Sequence, residues 1–291
     1  MKFIEPKVFM LASTTENWIE IEEYLESIGA EEFEPDYPDA ARDGEVLLEL
    51  AGRSCYRSEA LGRNPNVKKT RTGNKEYLAN IIKSKHGSVL EHGSVTLAFV
   101  GVSRVFTHEL VRHRAGAAYS QESLRFVRLD SLCAWYPESF GYEMMLELYD
   151  ALATKGKVPF DERSKEAWAK ERAEWLRKLF EETYVELELI QRNISNELYL
   201  DELDGNFHIK KSITSAMRRL APIGLGTGII FTANHRTLRH VIEMRTSPGA
   251  EEEIRLVFGQ VAELMKIEFP NIYQDMERLD DGSYVFASSK I

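Results

Sequence analysis

The apolar pattern of this chain changes period several times without settling into strand–helix–strand repeats, and this limits the folds open to it. Ser94–Val100 (SVTLAFV) is rich in β-branched residues and reads as a strand. Directly after it, Ser103 stands as an N-cap, and Val105, Phe106, Leu110 and Val111 carry the 3.6-residue period of an amphipathic helix. That helix is expected to end near Arg112–Arg114, where AGAA and polar residues take over. Further on, Ile229–Ala233 reads as a strand, and Asn234 is a good cap for a helix to Arg245. A doubly wound parallel sheet needs regular alternation, which is missing. The expectation is α+β: a mixed or antiparallel sheet flanked by long helices, one domain over residues 1–291 with a helical insertion.

Other segments complete the outline. Val46–Cys55 reads as a helix, and Asn74 is placed to cap another running to about Ser84. The longest helical pattern covers 163–195, where Trp168, Trp175, Leu176, Leu179, Phe180 and Leu187 mark one apolar side. A helix is expected over about 207–219, broken by Pro222 and three glycines. Ser247-Pro248 starts the last long helix, in which Ile254, Val257, Phe258, Val261, Met265 and Phe269 keep the period. Residues 34–44 read as a loop and 62–74 as a mobile, basic one.

Charge narrows the function. With 37 Lys and Arg against 47 Asp and Glu, the net charge is −10. A general nucleic-acid binder carries the opposite excess, because phosphate contacts supply most of its affinity. An anion site in this chain must therefore be a local basic pocket. Its two cysteines, Cys55 and Cys133, form no CxxC pair, exclude a zinc ribbon or disulfide framework, and suit a reducing compartment. The first residues do not read as a signal peptide, and no window approaches the ~18 apolar residues of a membrane span. A cytoplasmic protein is expected.

Two arginine clusters stand out. Arg112-His113-Arg114 lies where a helix gives way to a small-residue loop, followed by Ser120, Gln121, Ser123, Arg125 and Arg128. Arginine offers a fixed charge and a planar fork suited to phosphate, and Gly116 and Ala117 let a backbone approach a ligand closely. The second cluster is Asn234, Arg236, Arg239, His240 and Arg245, with Arg236 and His240 four apart on one helical face and Arg218-Arg219 ending the helix before. The alternatives are a solvated basic helix end and salt bridges to Glu243 or Glu251–Glu253, taking Arg239 and Arg255 first. His108-Glu109 followed by His113 fails as a zincin site, since Arg112 holds the required histidine position. GLGTG (224–228) lacks dinucleotide-fold spacing and reads as a turn, and both cysteines read as buried, inert thiols.

The stretch VLEHGSVTLAFVGVSRVFTHELVRHRAGAAYSQESLRFV resembles the flavin-dependent thymidylate synthases, whose signature is RHR, a short loop, Ser, and Arg two residues later. Here these are Arg112-His113-Arg114, Ser123 and Arg125. KHGSVLEH (85–92), AGRSCY (51–56) and NHRTLRHVIEMR…AEEEIR (234–255) extend the resemblance over roughly 46–130 and 207–275. It implies a homotetramer with sites shared between subunits, FAD as cofactor, NADPH as reductant and methylenetetrahydrofolate as one-carbon donor. The implied reaction converts dUMP to dTMP without an enzyme nucleophile, which fits the lack of an activated cysteine.

The resemblance also implies roles. Arg112, His113 and Arg114 meet the flavin, as do Ser88, Gln121, Asn234, Arg236 and His240, with His86 flanking. Ser123 and Arg125 hold the dUMP phosphate, Glu109, Arg112, Gln121 and Leu124 also belong to the substrate site, and Arg218 arrives from another subunit. Arg245 polarises the uracil and favours loss of its N3 proton. The chain differs from the family's usual pattern in a loop one residue longer before Ser123, Glu109 for Gln, His240 for Asn, Gly249 for a histidine, and a longer segment at about 138–206. Two rival readings remain: a non-synthase flavin or nucleotide-binding relative on the same scaffold, and a nucleic-acid module, which lacks aromatic stacking motifs.

Overall fold

The computed structural model describes residues 1–33, 44–71, 73–124, 131–203 and 205–288. In chain order the elements are β1 (Lys2–Phe3), β2 (Lys7–Ser13), α1 (Trp18–Ser27), α2 (Glu45–Tyr56), α3 (Asn74–Lys83), β3 (Ser94–Ser103), α4 (Arg104–Leu110) and β4 (Ala117–Gln121). There follow β5 (Cys133–Ala134), α5 (Tyr142–Ala153), α6 (Glu162–Glu197), α7 (Phe207–Met217), β6 (Gly226–Asn234), α8 (His235–Thr246), α9 (Glu252–Glu268), β7 (Met276–Arg278) and β8 (Tyr284–Phe286). The fold is α+β. The main sheet has the order β2-β3-β6-β4, while β1 pairs with β5 in parallel and β7 with β8 antiparallel.

The chain divides into two compact units. One comprises Met1–Lys7, Val100–His108 and Gln121–Gly228, and is built on α5, α6 and α7. Leu132, Ala134, Tyr184 and Leu225 form its buried cluster, with Phe180 and Leu187 packed on it. Along α6 the buried positions are Ala169, Tyr184, Glu188 and Gln191. The apolar side expected from the sequence is therefore corrected: Phe180 and Leu187 belong to it, but Trp175 is 54% exposed and Leu179 46%. Periodicity alone misses this because polar residues share the inner stripe, where the Glu188 carboxylate accepts the Leu132 N–H at 2.6 Å.

The other unit comprises Val8–Phe99, Glu109–Ser120 and Ile229–Ile291. β3 and β6 lie side by side, with the Thr96 and Thr232 hydroxyls 2.9 Å apart. Phe99 packs against Phe231 and Phe258 at ring distances of 6.2 and 6.0 Å, with α8 and α9 contributing Leu238, Val241, Ile254 and Val257 to the same buried set. Burying these side chains is worth about 1.5–3 kcal/mol each.

Most element boundaries follow their local signals. Ser103 caps α4, its hydroxyl accepting from the N–H of Val105 (3.0 Å) and Phe106 (3.2 Å). Asn234 caps α8 by accepting from Thr237 at 2.8 Å. The strand expected over 94–100 runs three residues further, to Ser103. Three expectations need correction. Asn74 is no cap: its buried amide instead donates to the Glu45 carbonyl and the Glu49 carboxylate (3.0 and 2.9 Å). The last long helix starts at Glu252 rather than at Ser247-Pro248, because Glu251 supplies the capping oxygen to Glu253 and Ile254. Gly226–Gly228 belong to strand β6, leaving only the start of GLGTG as turn. The loop expected at 34–44 lies, except for Gly44, outside the described residues.

Candidate active site

The arginine-rich turn after α4 is fastened to the start of α8. The Tyr119 hydroxyl donates to the backbone carbonyls of His113 and Leu110 and so closes the turn. From the other side, Asn234 N–H donates to the Gly116 carbonyl (3.2 Å) and the Thr237 hydroxyl to that of Ala115 (2.8 Å). Between them lies a cavity of about 680 Å³, whose lining includes Arg112, His113, Arg114, Asn234, Arg236 and His240. Six positions named from sequence alone thus converge. Arg236 and His240 reach it from one face of α8, and Arg236 also pairs with Glu91, both side chains being about half exposed.

Gly116 shapes the floor of this cavity. Its φ is +64°, a left-handed conformation that favours glycine, and a Cβ there would run into Asn234 Nδ2 and Thr237 Oγ1. The cradle therefore depends on bare backbone at that point. Two arginine forks, a third on α8 and a helix N-terminus suit a ligand that carries phosphate groups on a planar body. A flavin dinucleotide fits that donor set. Gly116→Ala should weaken flavin retention about tenfold or more, because strain of this kind costs about 1–3 kcal/mol. Equilibrium dialysis followed by flavin absorbance checks it.

Arg245 is not among the residues lining the cavity, and its side chain is only 12% exposed. Its Nε donates to His113 Nε2 at 2.8 Å, one terminal nitrogen to the Glu109 carboxylate at 2.6 Å, and the other to the Glu109 backbone carbonyl at 2.8 Å. Burial, then the charge of Arg245, then His240 hold the His113 imidazole down to about 4, against an upward pull from Glu109. His113 is thus neutral at pH 7, and its Nε2 lone pair accepts the hydrogen bond from Arg245 Nε–H. In the same unit His235 is fully buried beside Tyr273, its Nδ1 3.2 Å from the hydroxyl, and burial pushes it down to about 3.

Both histidines titrate lower when folded than the free value of about 6.5. The unfolded chain therefore takes up protons first as pH falls. Their contribution to stability is complete above about pH 6.5 and is lost as pH falls toward 4. The urea midpoint should drop from pH 7 to pH 4.5, with a shallower drop in His235→Leu. An equal slope in that variant would remove His235 as a cause.

Other expected site residues lie elsewhere. His86 stacks on Tyr56 at 5.6 Å, and exposed Ser88 sits in the short turn Gly87–Glu91; of that turn, Glu91 lines the cavity. Gln121, Ser123, Leu124 and Arg218 belong to the first unit, where the Gln121 amide donates to the Thr107 hydroxyl at 3.0 Å. Arg125 lies outside the described residues. The alternative partners proposed for Arg239 and Arg255 are corrected: Arg239 is held by Asp275, and Arg255 donates to the Asp281 carbonyl. Sequence reading missed Glu91, Thr237 and Phe286 as lining residues; Thr237, three after a capping Asn, carried a local signal, and Phe286 carried none. The expectation of two buried thiols is also corrected. Cys55 is exposed, while Cys133 is half-buried, with a thiol that burial pushes up. Among the described residues no group of His, Cys, Asp and Glu is arranged to hold a metal ion.

The family model described as thymidylate synthase complementing protein matches residues 39–271. The flavin-dependent thymidylate synthase of Corynebacterium diphtheriae is 32% identical over 253 residues, covering 86% of each chain. That of Mycobacterium sp. strain JLS is 35% identical over 259 residues, 86% of this chain and 89% of its own. The chain belongs to this family. A solved Helicobacter pylori structure, thymidylate synthase X with FAD and dUMP, overlaps 92% of this chain and 99% of its own with a TM-score of 0.52 at 18% identity, a likeness of fold. Arg112, His113 and Arg114 are thus part of the cavity wall, and His113 accepts a hydrogen bond from Arg245.

Proposed function

We propose that this protein is a flavin-dependent thymidylate synthase that reductively methylates dUMP to dTMP, with FAD bound, NADPH as reductant and methylenetetrahydrofolate as one-carbon donor. The observation that carries it is the joining of two features. A phosphate-friendly cavity is walled by Arg112, His113 and Arg114, and a buried, aimed cation, Arg245, is bonded to that wall through His113. The supporting relatives bear the synthase name over most of their length.

In this reading Arg112, Arg114, Asn234 and Arg236 hold the flavin, with His113 and His240 against it and His86 and Ser88 at its edge. When bound, the flavin supplies the hydride that completes the new methyl group. Ser123, Leu124 and Arg125 take the nucleotide phosphate, together with Gln121 and with Arg218 of a neighbouring subunit in a homotetramer. Arg245 faces the charge that develops on the pyrimidine as the N3 proton is lost and C5 becomes nucleophilic; a fixed cation aimed there lowers the barrier. Neither thiol lines the cavity. Among the described residues no helix is long and apolar enough to cross a membrane, and two free thiols suit the cytoplasm.

The test is tritium release from dUMP labelled at C5, under low oxygen, with all three co-reactants. Release that requires both flavin and folate supports the synthase. A folded, flavin-loaded protein that releases none is instead the non-synthase relative.

A further inference from the structure

We infer that the β7–β8 hairpin is the adenosine side of the flavin site, with Phe286 and Ser288 receiving the adenine, so that this hairpin makes the protein prefer FAD to FMN. The inference rests on the proposed flavin chemistry and assigns one end of the cofactor to one wall of the cavity.

The cavity has two unlike flanks, and helix geometry separates them. Successive residues of an α-helix point about 100° apart. On α8, Arg236 therefore projects between Arg239 on one side and His240 on the other. His240 lies toward His113, the two rings being 6.1 Å apart. Arg239 lies toward the hairpin, its guanidinium 4.1 Å from the centre of the Phe286 ring. Phe286 and Ser288 line the cavity on that flank. The Arg239 charge is balanced there by Asp275, whose two carboxylate oxygens take its two terminal nitrogens. That flank is thus aromatic and polar without net charge. Elsewhere the lining holds Arg112, Arg114 and Arg236 against one carboxylate, Glu91.

FAD has the matching order, an aromatic ring at each end and a pyrophosphate between them. The pyrophosphate belongs with the arginines and the start of α8, where a helix N-terminus favours anions. The isoalloxazine must reach the base it reduces. Arg245, the group that faces the pyrimidine in the proposed reaction, is bonded to His113, so the isoalloxazine takes the His113–His240 flank. Adenine is left for the hairpin. It is uncharged at neutral pH, packs well against an aromatic ring, and its nitrogens can exchange hydrogen bonds with a serine hydroxyl.

The hairpin is fixed before any ligand arrives. Tyr284 N–H donates to the Thr246 hydroxyl at 2.9 Å, and the Tyr284 hydroxyl donates to the Glu263 carboxylate. Ala287 N–H donates to the Asp275 carbonyl at 3.2 Å, and Ser288 N–H to the Asp275 carboxylate at 3.3 Å. A wall held in this way has little freedom left to lose on binding. Both strands lie beyond residue 271, where the match to the family model ends.

Calorimetric titration of the flavin-stripped protein with FAD, FMN and ADP tests the assignment. ADP carries the adenosine and pyrophosphate without the flavin ring, and is expected to displace FAD from the wild type. Failure to displace it overturns the inference, and this arm stands whether or not a variant folds. Ser288→Trp fills the flank and should weaken FAD binding about tenfold or more, as overpacking does. FMN, which has no adenosine, should stay within about twofold in the same variant, since it makes no contact there. Phe286→Leu keeps a buried apolar side chain but removes the aromatic ring, and should weaken FAD about 3–10-fold while sparing FMN. Equal losses of FAD and FMN in Ser288→Trp would place the isoalloxazine on this flank, and unchanged FAD binding would place the hairpin outside the site; either result overturns the inference. Wild-type protein that binds neither flavin defeats the proposed function and this inference together. Wild-type protein that binds FAD but fails the ADP or FMN comparison defeats the inference alone.

Discussion

Replacing Arg245 by alanine is expected to lower turnover on the order of 10²–10³-fold while the flavin stays bound, the range seen when one aimed donor is removed from an active site. The flavin cavity is lined without Arg245, so cofactor retention should change little. What is lost is a cation held in one orientation by three bonds. An interaction made mainly in the transition state shows as equal falls in kcat and kcat/KM. Arg245→Lys should remain well below the wild type, because an ammonium cannot satisfy His113 and both Glu109 oxygens with a planar fork. Flavin absorbance and steady-state kinetics on the same preparation separate the cases. Near-normal turnover would remove Arg245 from the mechanism, and loss of flavin would make it a structural residue.

The sequence made local features legible and left long-range pairings hidden. Ser103 and Asn234 cap their helices because a capping hydroxyl or amide needs only its own next few residues. Arg236 and His240 share a face because helical spacing alone decides it. The Arg112–Arg114 turn could be placed at a helix end for the same reason. Glu109, by contrast, meets Arg245 across 136 residues, and nothing near either one announces the pair. Asn74 looked like a cap because Asn often is one, but its neighbours across the fold, Glu45 and Glu49, claim its amide. On α6 the apolar side was misjudged because Glu188 and Gln191 are buried for their hydrogen bonds, which hydrophobic counting cannot register.

Arg239 shows how far such a hidden pairing can alter a functional reading, and it carries the largest expected effect on stability. It lies on α8 three residues from Arg236 and lines the same cavity, so by position it looks like a second ligand-binding arginine. Its charge is already committed. Both terminal nitrogens grip Asp275, at 2.7 and 2.9 Å, one also donates to the Ile272 carbonyl at 2.7 Å, and the guanidinium lies over the Phe286 ring at 4.1 Å. The two side chains are 5% and 13% exposed. Arg239→Ala should therefore cost about 3–5 kcal/mol in urea denaturation, since it leaves a nearly buried carboxylate without its partner. Removing both charges in Arg239→Met/Asp275→Leu should cost less than the single change, because no uncompensated ion remains. A single-variant loss under about 1 kcal/mol would mean that water reaches and solvates Asp275. Arg236, whose bond to Glu91 is open to solvent, should show the converse, with little loss of stability and a marked loss of flavin. The two arginines are three residues apart on one helix, and only their partners separate the one that holds the fold from the one left for the ligand.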